Sequence, residues 1–237
     1  MENAIDILKE WIDKSDNIVF FGGAGVSTES GIKDFRSEGN YLRKGNLTLE
    51  QLISATYFRE HTKDFYDMYR SLFDNTGIMP NITHKRLAEL EKEGKLKAIV
   101  TQNVDGLHQL AGSKNVLTLH GDVSRNYCLD CHKLYDEKFV FSSKGIPRCE
   151  CGGIVKPDVV LYEEGLDQEI LEKSINAIAN ADVLIVAGTS LSVYPAAGLV
   201  NYYKGNKLVL INKTSTPYDS KADLLLHEPL GEIFSKI

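Results

Sequence analysis

The chain has 237 residues, enough for one large domain or for one domain with a small insert. Hydrophobic residues make up 43% and charged residues 25% of the sequence, and the formal net charge of -6 argues against nucleic acid as the main ligand. No apolar run approaches the roughly 20 residues of a membrane span, and the acidic residues within positions 1–14 do not resemble a signal peptide. We therefore expect a cytoplasmic protein with no membrane partner and no direct nucleic-acid partner.

An amphipathic helix opens the chain, because Ile5, Leu8 and Ile12 recur at helical spacing. Four apolar runs then predict buried strands, with helical patterns before or between them. The strands cover 18–21, 96–100, 183–187 and 207–211, and the helices cover 83–93, 167–180 and 195–204. Buried strands that alternate with helices predict an α/β fold, a Rossmann-like doubly wound parallel sheet. Ligands of such sheets bind beyond the carboxyl ends of the strands.

Two stretches interrupt this alternation. Residues 37–80 are rich in aromatic side chains and look helical, whereas residues 122–157 hold the cysteines and few core positions. We interpret both as insertions that together form a smaller domain. The large domain then consists of residues 1–36, 81–121 and 158–237.

A glycine-rich turn follows the first strand. Gly23 and Gly25 let backbone N–H groups approach a phosphate, but Thr28 stands where the dinucleotide fingerprint has its third glycine. Three hydroxyl residues are placed to cap a following helix, namely Ser27, Thr28 and Ser30. The acidic ribose partner expected about 20 residues further on is missing, and the chain continues into Asp34-Phe35-Arg36 instead. The pattern favours a nucleotide held differently from that of a hydride-transfer dehydrogenase, and a plain turn is the alternative.

The cysteines form two pairs, Cys128-x-x-Cys131 and Cys149-x-Cys151. In a reducing compartment such a cluster indicates a metal site rather than disulfides, and this spacing fits two knuckles around a tetrahedral zinc ion. With four thiolate ligands no coordination position stays open for a substrate, so we expect a structural zinc. His132 is an alternative ligand, although its position directly after Cys131 favours a surface role.

A segment dense in polar groups, residues 101–108, follows the second strand. It is either a helix start capped by Thr101 or Asn103, or part of a ligand site. His120 ends a further apolar run, and beside a ligand edge it is a candidate general base because its ordinary pKa lies near neutrality. The other histidines lack this context, so we expect His61, His84 and His227 at the surface and His108 packed and hydrogen-bonded.

Together these segments resemble the sirtuin family. The resemblance rests on motifs in the family's order: Gly23–Ser37, Thr101–His108, Leu119–Gly121, the four cysteines, Lys156–Val160, Gly188–Leu191 and Leu210–Asn212. It spans nearly the whole chain, and the first two segments are the most specific. It implies an NAD-dependent protein lysine deacylase of the bacterial, catalytic-core type, with a Rossmann-type large domain and a small zinc domain. The implied reaction transfers the acyl group from lysine to ADP-ribose and releases nicotinamide and O-acetyl-ADP-ribose.

The resemblance also implies roles for individual residues. His120 is implied as the general base, with Asn103 as a second catalytic residue. The implied NAD contacts are Gly23, Ala24, Gly25, Thr28, Asp34, Phe35, Arg36, Gln102, Asn103, Val104, Asp105, His120, Gly188, Thr189, Ser190, Asn212 and Lys213. The implied contacts of the substrate peptide, which would bind as an added strand, are Val159, Val160, Leu161 and Tyr162. The four cysteines are implied as the zinc ligands.

Departures from the family pattern bear on the substrate. Lys33 replaces the usual proline, and the segment 160–164 replaces a Phe-Gly-Glu version of the peptide-binding stretch. Members that remove succinyl or malonyl groups carry a Tyr-x-x-Arg pair, whereas Arg70 follows Tyr66 by four positions and Tyr69 by one. We therefore expect acetyl and other uncharged acyl groups, carried by acylated lysine-containing partner proteins. The alternatives are mono-ADP-ribosyl transfer from the same NAD pocket and a non-catalytic NAD-sensing module. We expect a monomer.

Overall fold

The computed structural model describes residues 2–33 and 46–237, so the predicted contacts Asp34, Phe35 and Arg36 lie outside the described residues. Its strands are β1 (Ile18–Gly22), β2 (Leu96–Thr101), β3 (Val116–Thr118), β4 (Gly121–Cys128), β5 (Leu134–Asp136), β6 (Val155–Val159), β7 (Val183–Ala187), β8 (Leu208–Ile211) and β9 (Leu224–Leu226). Its α-helices are α1 (Glu2–Asp13), α2 (Leu49–Leu52), α3 (Ala55–Glu60), α4 (Thr62–Phe73), α5 (Ile82–Lys92), α6 (Leu107–Leu110), α7 (Glu137–Ser142), α8 (Gln168–Asn180) and α9 (Leu230–Phe234). Short 3-10 helices cover Ala24–Val26, Thr28–Ser30, Ala196–Tyr202 and Asp219–Lys221.

A six-stranded parallel sheet forms the centre, in the order β3-β2-β1-β7-β8-β9. The chain runs outward from β1 to β3 on one side and from β7 to β9 on the other. The strand order therefore reverses between β1 and β7. In open parallel sheets this switch point opens a crevice at the carboxyl ends of the two strands, and that crevice is where ligands bind.

The sheet is covered on both faces, as the predicted doubly wound fold requires. Alternate residues of one strand serve the two faces: Phe20 packs with α1, α5 and α9, while Phe21 packs with α8 and the 3-10 helix at 196–202. All five residues of β1 and of β7 are buried. Full burial of a large apolar side chain contributes about 1.5–3 kcal/mol, so these two faces hold the strands in place.

The helix predicted over 195–204 forms as a 3-10 helix, Ala196–Tyr202, with Pro195 at its N-cap position. The pattern of apolar residues identified the buried face but not the tighter winding. Across the described ranges, no helix is both long and apolar enough to cross a membrane.

A second, three-stranded antiparallel sheet has the order β5-β4-β6. Its apolar face shares one core with the aromatic residues of α3 and α4. Phe65, Tyr66 and Tyr69 are almost completely buried there, and the Tyr66 hydroxyl donates a 2.5 Å hydrogen bond to the Val155 carbonyl. The aromatic residues of the first predicted insertion thus pack against the cysteine-bearing second insertion.

Candidate active site

The glycine turn after β1 meets the turn after β7 at the switch point of the sheet. The Gly25 N–H donates to the Gly188 carbonyl at 2.8 Å. A Cβ on Gly25 would lie 2.8 Å from the Gly188 Cα, and one on Gly188, whose φ is +59°, would lie 2.6 Å from the Val26 nitrogen. The backbones of the two turns are therefore in direct contact, and neither glycine has room for a side chain. We call these two turns the glycine cradle. Such a glycine turn is the kind of surface that a diphosphate approaches closely.

The hydroxyl residues of this turn do not cap a helix, contrary to the prediction. The chain forms two 3-10 turns that end at Gly31, whose φ is +95°. Thr28 Oγ1 donates to the Gly25 carbonyl at 3.0 Å, and Ser30 Oγ accepts from Asn81 Nδ2 at 3.0 Å. These hydroxyls hold the turn itself together and bind it to the start of α5.

Ser27 joins the loops after β1 and β2. Its hydroxyl donates to Asp105 Oδ2 at 2.6 Å and accepts from Asn103 Nδ2 at 3.1 Å. The second carboxylate oxygen of Asp105 accepts from the Leu107 N–H at 2.9 Å, at the first residue of α6. Sequence reasoning missed this position, because a serine five residues after a strand suggested a helix cap. Ser27 is almost completely buried, and its bonds fix the directions of both polar side chains.

Burial raises the pKa of the Asp105 carboxyl above its ordinary value, while the hydrogen bonds from Ser27 and Leu107 act in the opposite direction. The alternative prediction of a helix start capped by Thr101 or Asn103 is wrong, because the N-cap residue of α6 is Gly106. Thr101 Oγ1 accepts from the Asn103 N–H at 3.0 Å in a local turn, and α6 begins later, after Gly106. The side chain of Asn103 is thereby left to face Ser27.

His120 lies between β3 and β4, beside the loop after β2. Its Nδ1 is 2.9 Å from the Gln102 carbonyl oxygen, which is an acceptor only, so we assign the ring proton to Nδ1. Nε2 then carries a lone pair. Burial lowers the pKa of His120 below its ordinary value, and the bond to Gln102 partly opposes this shift. The imidazole is thus a neutral base at physiological pH.

The remaining predicted NAD contacts lie along the same edge of the sheet. Gln102 Nε2 donates to Thr189 Oγ1 at 3.0 Å, which links the loops after β2 and β7. Ser190 Oγ is 2.7 Å from Ser192 Oγ. Asn212 follows β8, where its Nδ2 donates to the Thr214 carbonyl at 2.7 Å. The other predicted contacts also follow strands of this sheet. Gly23 and Ala24 follow β1, Val104 lies in the loop after β2, and the exposed Lys213 lies after β8.

The four cysteines converge although they come from separate hairpins. Their sulfur atoms all lie within 4.8 Å of one another, and two pairs are 3.5 Å apart, Cys128 with Cys151 and Cys131 with Cys149. A tetrahedral zinc ion with Zn–S bonds of about 2.3 Å requires sulfur separations of nearly this size. His132 is exposed and does not belong to the cluster. The donor set fits zinc and leaves no open position, so a bound zinc would have a structural role.

The predicted peptide segment runs from the end of β6 past His120. The Val160 N–H donates to the His120 carbonyl at 2.9 Å. Val159 and Leu161 are buried, while Tyr162 keeps 41% of its surface exposed. The backbone of Tyr162 pairs with the corner between α2 and α3, through its N–H to Ile53 and its carbonyl to Ala55. The segment therefore connects the base to the helical insert.

Comparisons with known proteins agree with this geometry. The Sir2 family model matches residues 23–195. An NAD-dependent protein deacetylase from Clostridium perfringens is 58% identical, over 100% of this chain and 99% of that protein. A solved Sir2 enzyme superimposes with a TM-score of 0.89 at 41% identity, covering 100% of this chain and 96% of that one. A Sir2 structure with a p53 peptide and NAD+ superimposes with a TM-score of 0.86 at 35% identity, covering 98% and 96%.

The chain belongs to the Sir2 family.

Within this Sir2 chain, one predicted surface histidine is buried. His84 lies in the first turn of α5, where Asn81 Oδ1 accepts from its backbone N–H at 3.4 Å, and its ring is 4.7 Å from that of His108. Burial lowers the pKa of His84 to about 4 and that of His108 to about 3. Among the described residues neither ring nitrogen of His108 has a hydrogen-bond partner, so it is packed, as predicted, but not hydrogen-bonded. His61 and His227 are exposed as predicted.

Arg70 of this Sir2 chain is held inside the small aromatic core. Its Nε donates to the Val140 carbonyl at 3.1 Å, and its Nη2 donates to the Gly145 carbonyl. The guanidinium carbon lies 5.5 Å from the centre of the Tyr66 ring. These contacts hold the guanidinium against two backbone carbonyls and the Tyr66 ring.

Proposed function

We propose that this protein is an NAD-dependent protein lysine deacetylase that transfers the acyl group from lysine to ADP-ribose and releases nicotinamide. The observation that carries the proposal is the joint placement of a side-chain-free glycine cradle, the Ser27–Asn103–Asp105 cluster and a neutral His120 at one switch point. The relative from Clostridium perfringens bears the name of this activity. A Sir2 structure of the same fold holds a peptide together with NAD+.

The backbone between Gly23 and Thr28 would hold the diphosphate of NAD. Residues 102–105 and His120 would contact the nicotinamide ribose, and the turn from Gly188 to Ser190 would enclose the cofactor on the other side. Asn212 and Lys213 would contact the adenosine part. Asp34, Phe35 and Arg36 complete the predicted set. When bound, NAD supplies a ribose carbon that accepts the acyl oxygen and a nicotinamide that departs neutral.

His120 acts as the general base. Its Nε2 lone pair accepts a proton from a ribose hydroxyl, while the Gln102 carbonyl holds Nδ1 and therefore fixes the orientation of the ring. General-base assistance contributes about 10²–10⁴ in rate. Asn103 and Asp105 orient the nicotinamide and its ribose, and Ser27 holds both of them in place.

The substrate is an acylated lysine of a protein partner, and its peptide pairs as an added strand beside Val159–Tyr162. The acyl group is acetyl or another uncharged group, since Arg70 already binds two carbonyls. The large domain comprises 1–36, 81–121 and 158–237, and the small domain comprises 37–80 and 122–157. The shared aromatic core supports this division. We propose a cytoplasmic monomer, in which four unpaired thiols bind zinc in a reducing compartment.

Purified protein incubated with an acetyl-lysine peptide, with and without NAD, tests the proposal. We expect NAD-dependent loss of acetyl from the peptide with one nicotinamide released per acetyl removed. Nicotinamide release with a labelled ADP-ribose attached to protein, and no loss of acetyl, would favour ADP-ribosyl transfer instead. Binding of NAD with neither product would favour a sensing module.

A further inference from the structure

Lys156 is a buried cation that the proposed reaction does not use. It belongs to β6 and keeps only 6% of its surface exposed. Its Nζ lies 3.0 Å from the Val159 carbonyl, 3.4 Å from the Pro157 carbonyl and 3.2 Å from Glu164 Oε2. An ammonium group has three protons, and here three acceptors surround it. Because a buried charge without a partner is costly, Glu164 is its necessary counter-charge.

Glu164 holds the backbone as well as the cation. The oxygen that contacts Lys156 also accepts the Leu161 N–H at 2.8 Å. One ammonium and one carboxylate oxygen thus bind the Val159 carbonyl and the Leu161 N–H, the backbone groups on either side of Val160. We call this arrangement the Lys156–Glu164 clamp. Hydrogen bonds to charged groups are about twice as strong as neutral ones, so the clamp restrains the backbone more than an ordinary turn would.

Val160 lies between these two bonds and is hydrogen-bonded to His120, the proposed base. The Val160 N–H donates to the His120 carbonyl at 2.9 Å. Each of the consecutive residues Val159, Val160 and Leu161 therefore has a backbone group that is hydrogen-bonded to a different partner. An added strand binds through backbone groups spaced along an extended segment, so its affinity depends on how well that segment is ordered beforehand.

We propose that Lys156 and Glu164 are positioning residues that hold residues 159–161 ready for the acyl-lysine peptide. The inference rests on the proposed function, because it requires a peptide beside this segment. The clamp adds little to folding, since a buried ion pair contributes little net stability once its desolvation is counted. Its contribution is to order the segment before binding, which lowers the entropic cost of peptide capture.

Within residues 2–33 and 46–237, the clamp has no direct hydrogen bond to the predicted NAD contacts. Ser27, Asn103 and Asp105 bind one another, and Gln102 binds Thr189. Loss of the clamp should consequently raise the KM for peptide and leave the KM for NAD unchanged. A general structural defect would raise both constants and lower the melting temperature.

The test compares Lys156→Met, Lys156→Arg and Glu164→Gln with the wild-type enzyme and with Lys173→Met. Lys173 forms an exposed pair with Glu169 on α8, so its substitution controls for the loss of one cation. We expect Lys156→Met to raise the peptide KM about tenfold, the loss of one charged hydrogen bond, with the KM for NAD and kcat within about twofold. Glu164→Gln keeps an acceptor for Leu161 but leaves the buried Lys156 ammonium without its counter-charge, so its peptide KM should rise at least as much as that of Lys156→Met. Lys156→Arg should recover part of the affinity.

Each outcome decides a different question. If the wild-type enzyme does not remove acetyl groups, the proposed function fails and the inference falls with it. If the wild type is active but Lys156→Met and Glu164→Gln keep its peptide KM, only the positioning role is wrong. Equal rises in the two KM values would also overturn that role. Should Lys156→Met fail to fold, Glu164→Gln and Lys156→Arg carry the same comparison.

Discussion

The six-stranded sheet and the cysteine region owe their order to different forces. In the sheet, β1 and β7 are buried along their whole length, and apolar side chains cover both faces. In the cysteine region, Cys131 and Cys151 are exposed, and Leu134 of β5 keeps 77% of its surface exposed. Burial of apolar area stabilises the first region, whereas the second has a smaller apolar core and would depend in addition on four thiolates around one metal. We therefore expect that polar residues at the edge of the sheet can be replaced without loss of the fold and that the cysteines cannot.

The largest expected effect comes from breaking the metal site. Cys149→Ala removes one of four ligands, and binding of a structural zinc contributes on the order of 10 kcal/mol in small zinc domains. We expect loss of the bound zinc, measured by elemental analysis, and loss of amide-exchange protection in β4, β5 and β6. Leu134→Ala, in the same sheet but exposed, should retain both. A well-folded and metal-free Cys149→Ala protein would contradict a structural metal.

The second prediction concerns the sheet edge, where a substitution should lower the activity and leave the fold intact. His120→Ala should lower kcat/KM for deacetylation by about 10²–10⁴ and leave the unfolding free energy nearly unchanged, with NAD binding partly retained. Since burial lowers the pKa of His120, the acidic limb of the wild-type rate profile should lie below the ordinary histidine value of about 6.5.

Steady-state kinetics across pH and urea unfolding measure these effects. His61→Ala, a substitution of an exposed histidine, is the matched control. Near-normal turnover of His120→Ala would show that another group is the base.

Ser27→Ala tests the polar edge of the sheet separately from the base, because it removes two hydrogen bonds there and adds no bulk. Asn103 and Asp105 both lose their contact with the hydroxyl, and the lost bond to the Asp105 carboxylate costs about 1.5–3 kcal/mol. NAD should bind about tenfold or more weakly, as measured by calorimetry. The pKa of Asp105 should rise further, since the Ser27 bond opposes the effect of burial. Ser235→Ala, at an exposed helix end, should bind NAD as the wild type does; equal affinity in Ser27→Ala would exclude the orienting role.

The last prediction concerns the stability contribution of the buried histidines beneath the sheet edge. At pH 5 the unfolded chain carries protonated histidines, whereas the folded His84 and His108 are neutral because their pKa values are about 4 and about 3. The unfolded state then binds more protons, so stability falls as the pH drops from 7 to 5, by about 2 kcal/mol per histidine. His108→Leu should remove about that much of the fall in urea unfolding. His61→Leu should not, and an unchanged slope in His108→Leu would contradict the neutral pair.

Much of the architecture was predictable because the signals are local. Strand β7 has the predicted bounds, and the remaining predicted strands differ by one residue at an end, since continuous apolar runs between turn residues mark buried strands. The convergence of the cysteines was also predictable, because their spacing reflects the geometry of one ion. The family resemblance supplied the order of the segments along the ligand edge.

The errors share a physical cause, which is tertiary contact between residues far apart in sequence. Ser27 bonds to a loop 76–78 residues further on, a distance that no local pattern reveals. His84 is buried because α5 packs against the sheet and against His108, although its sequence neighbours include charged residues. Lys156 and Glu164 are eight residues apart, and only the turn after β6 brings their side chains together. The burial and the partners of a charged or polar residue are therefore predicted poorly from sequence when its contacts depend on the tertiary fold.

The contact between the glycine turn and the turn after β7 has a consequence for mutational tolerance. A single added carbon on Gly25 or Gly188 would lie within 2.8 Å of opposing atoms, and one on Gly23 would lie 2.8 Å from the Thr189 Cβ. Even alanine, the smallest step available, is therefore too large at these positions. In a saturation library selected for activity, these codons should stay glycine, while an exposed side chain of the peptide segment, such as that of Tyr162, should accept many replacements. New substrate preferences would then arise at the peptide side of the crevice, and the cofactor side would remain unchanged.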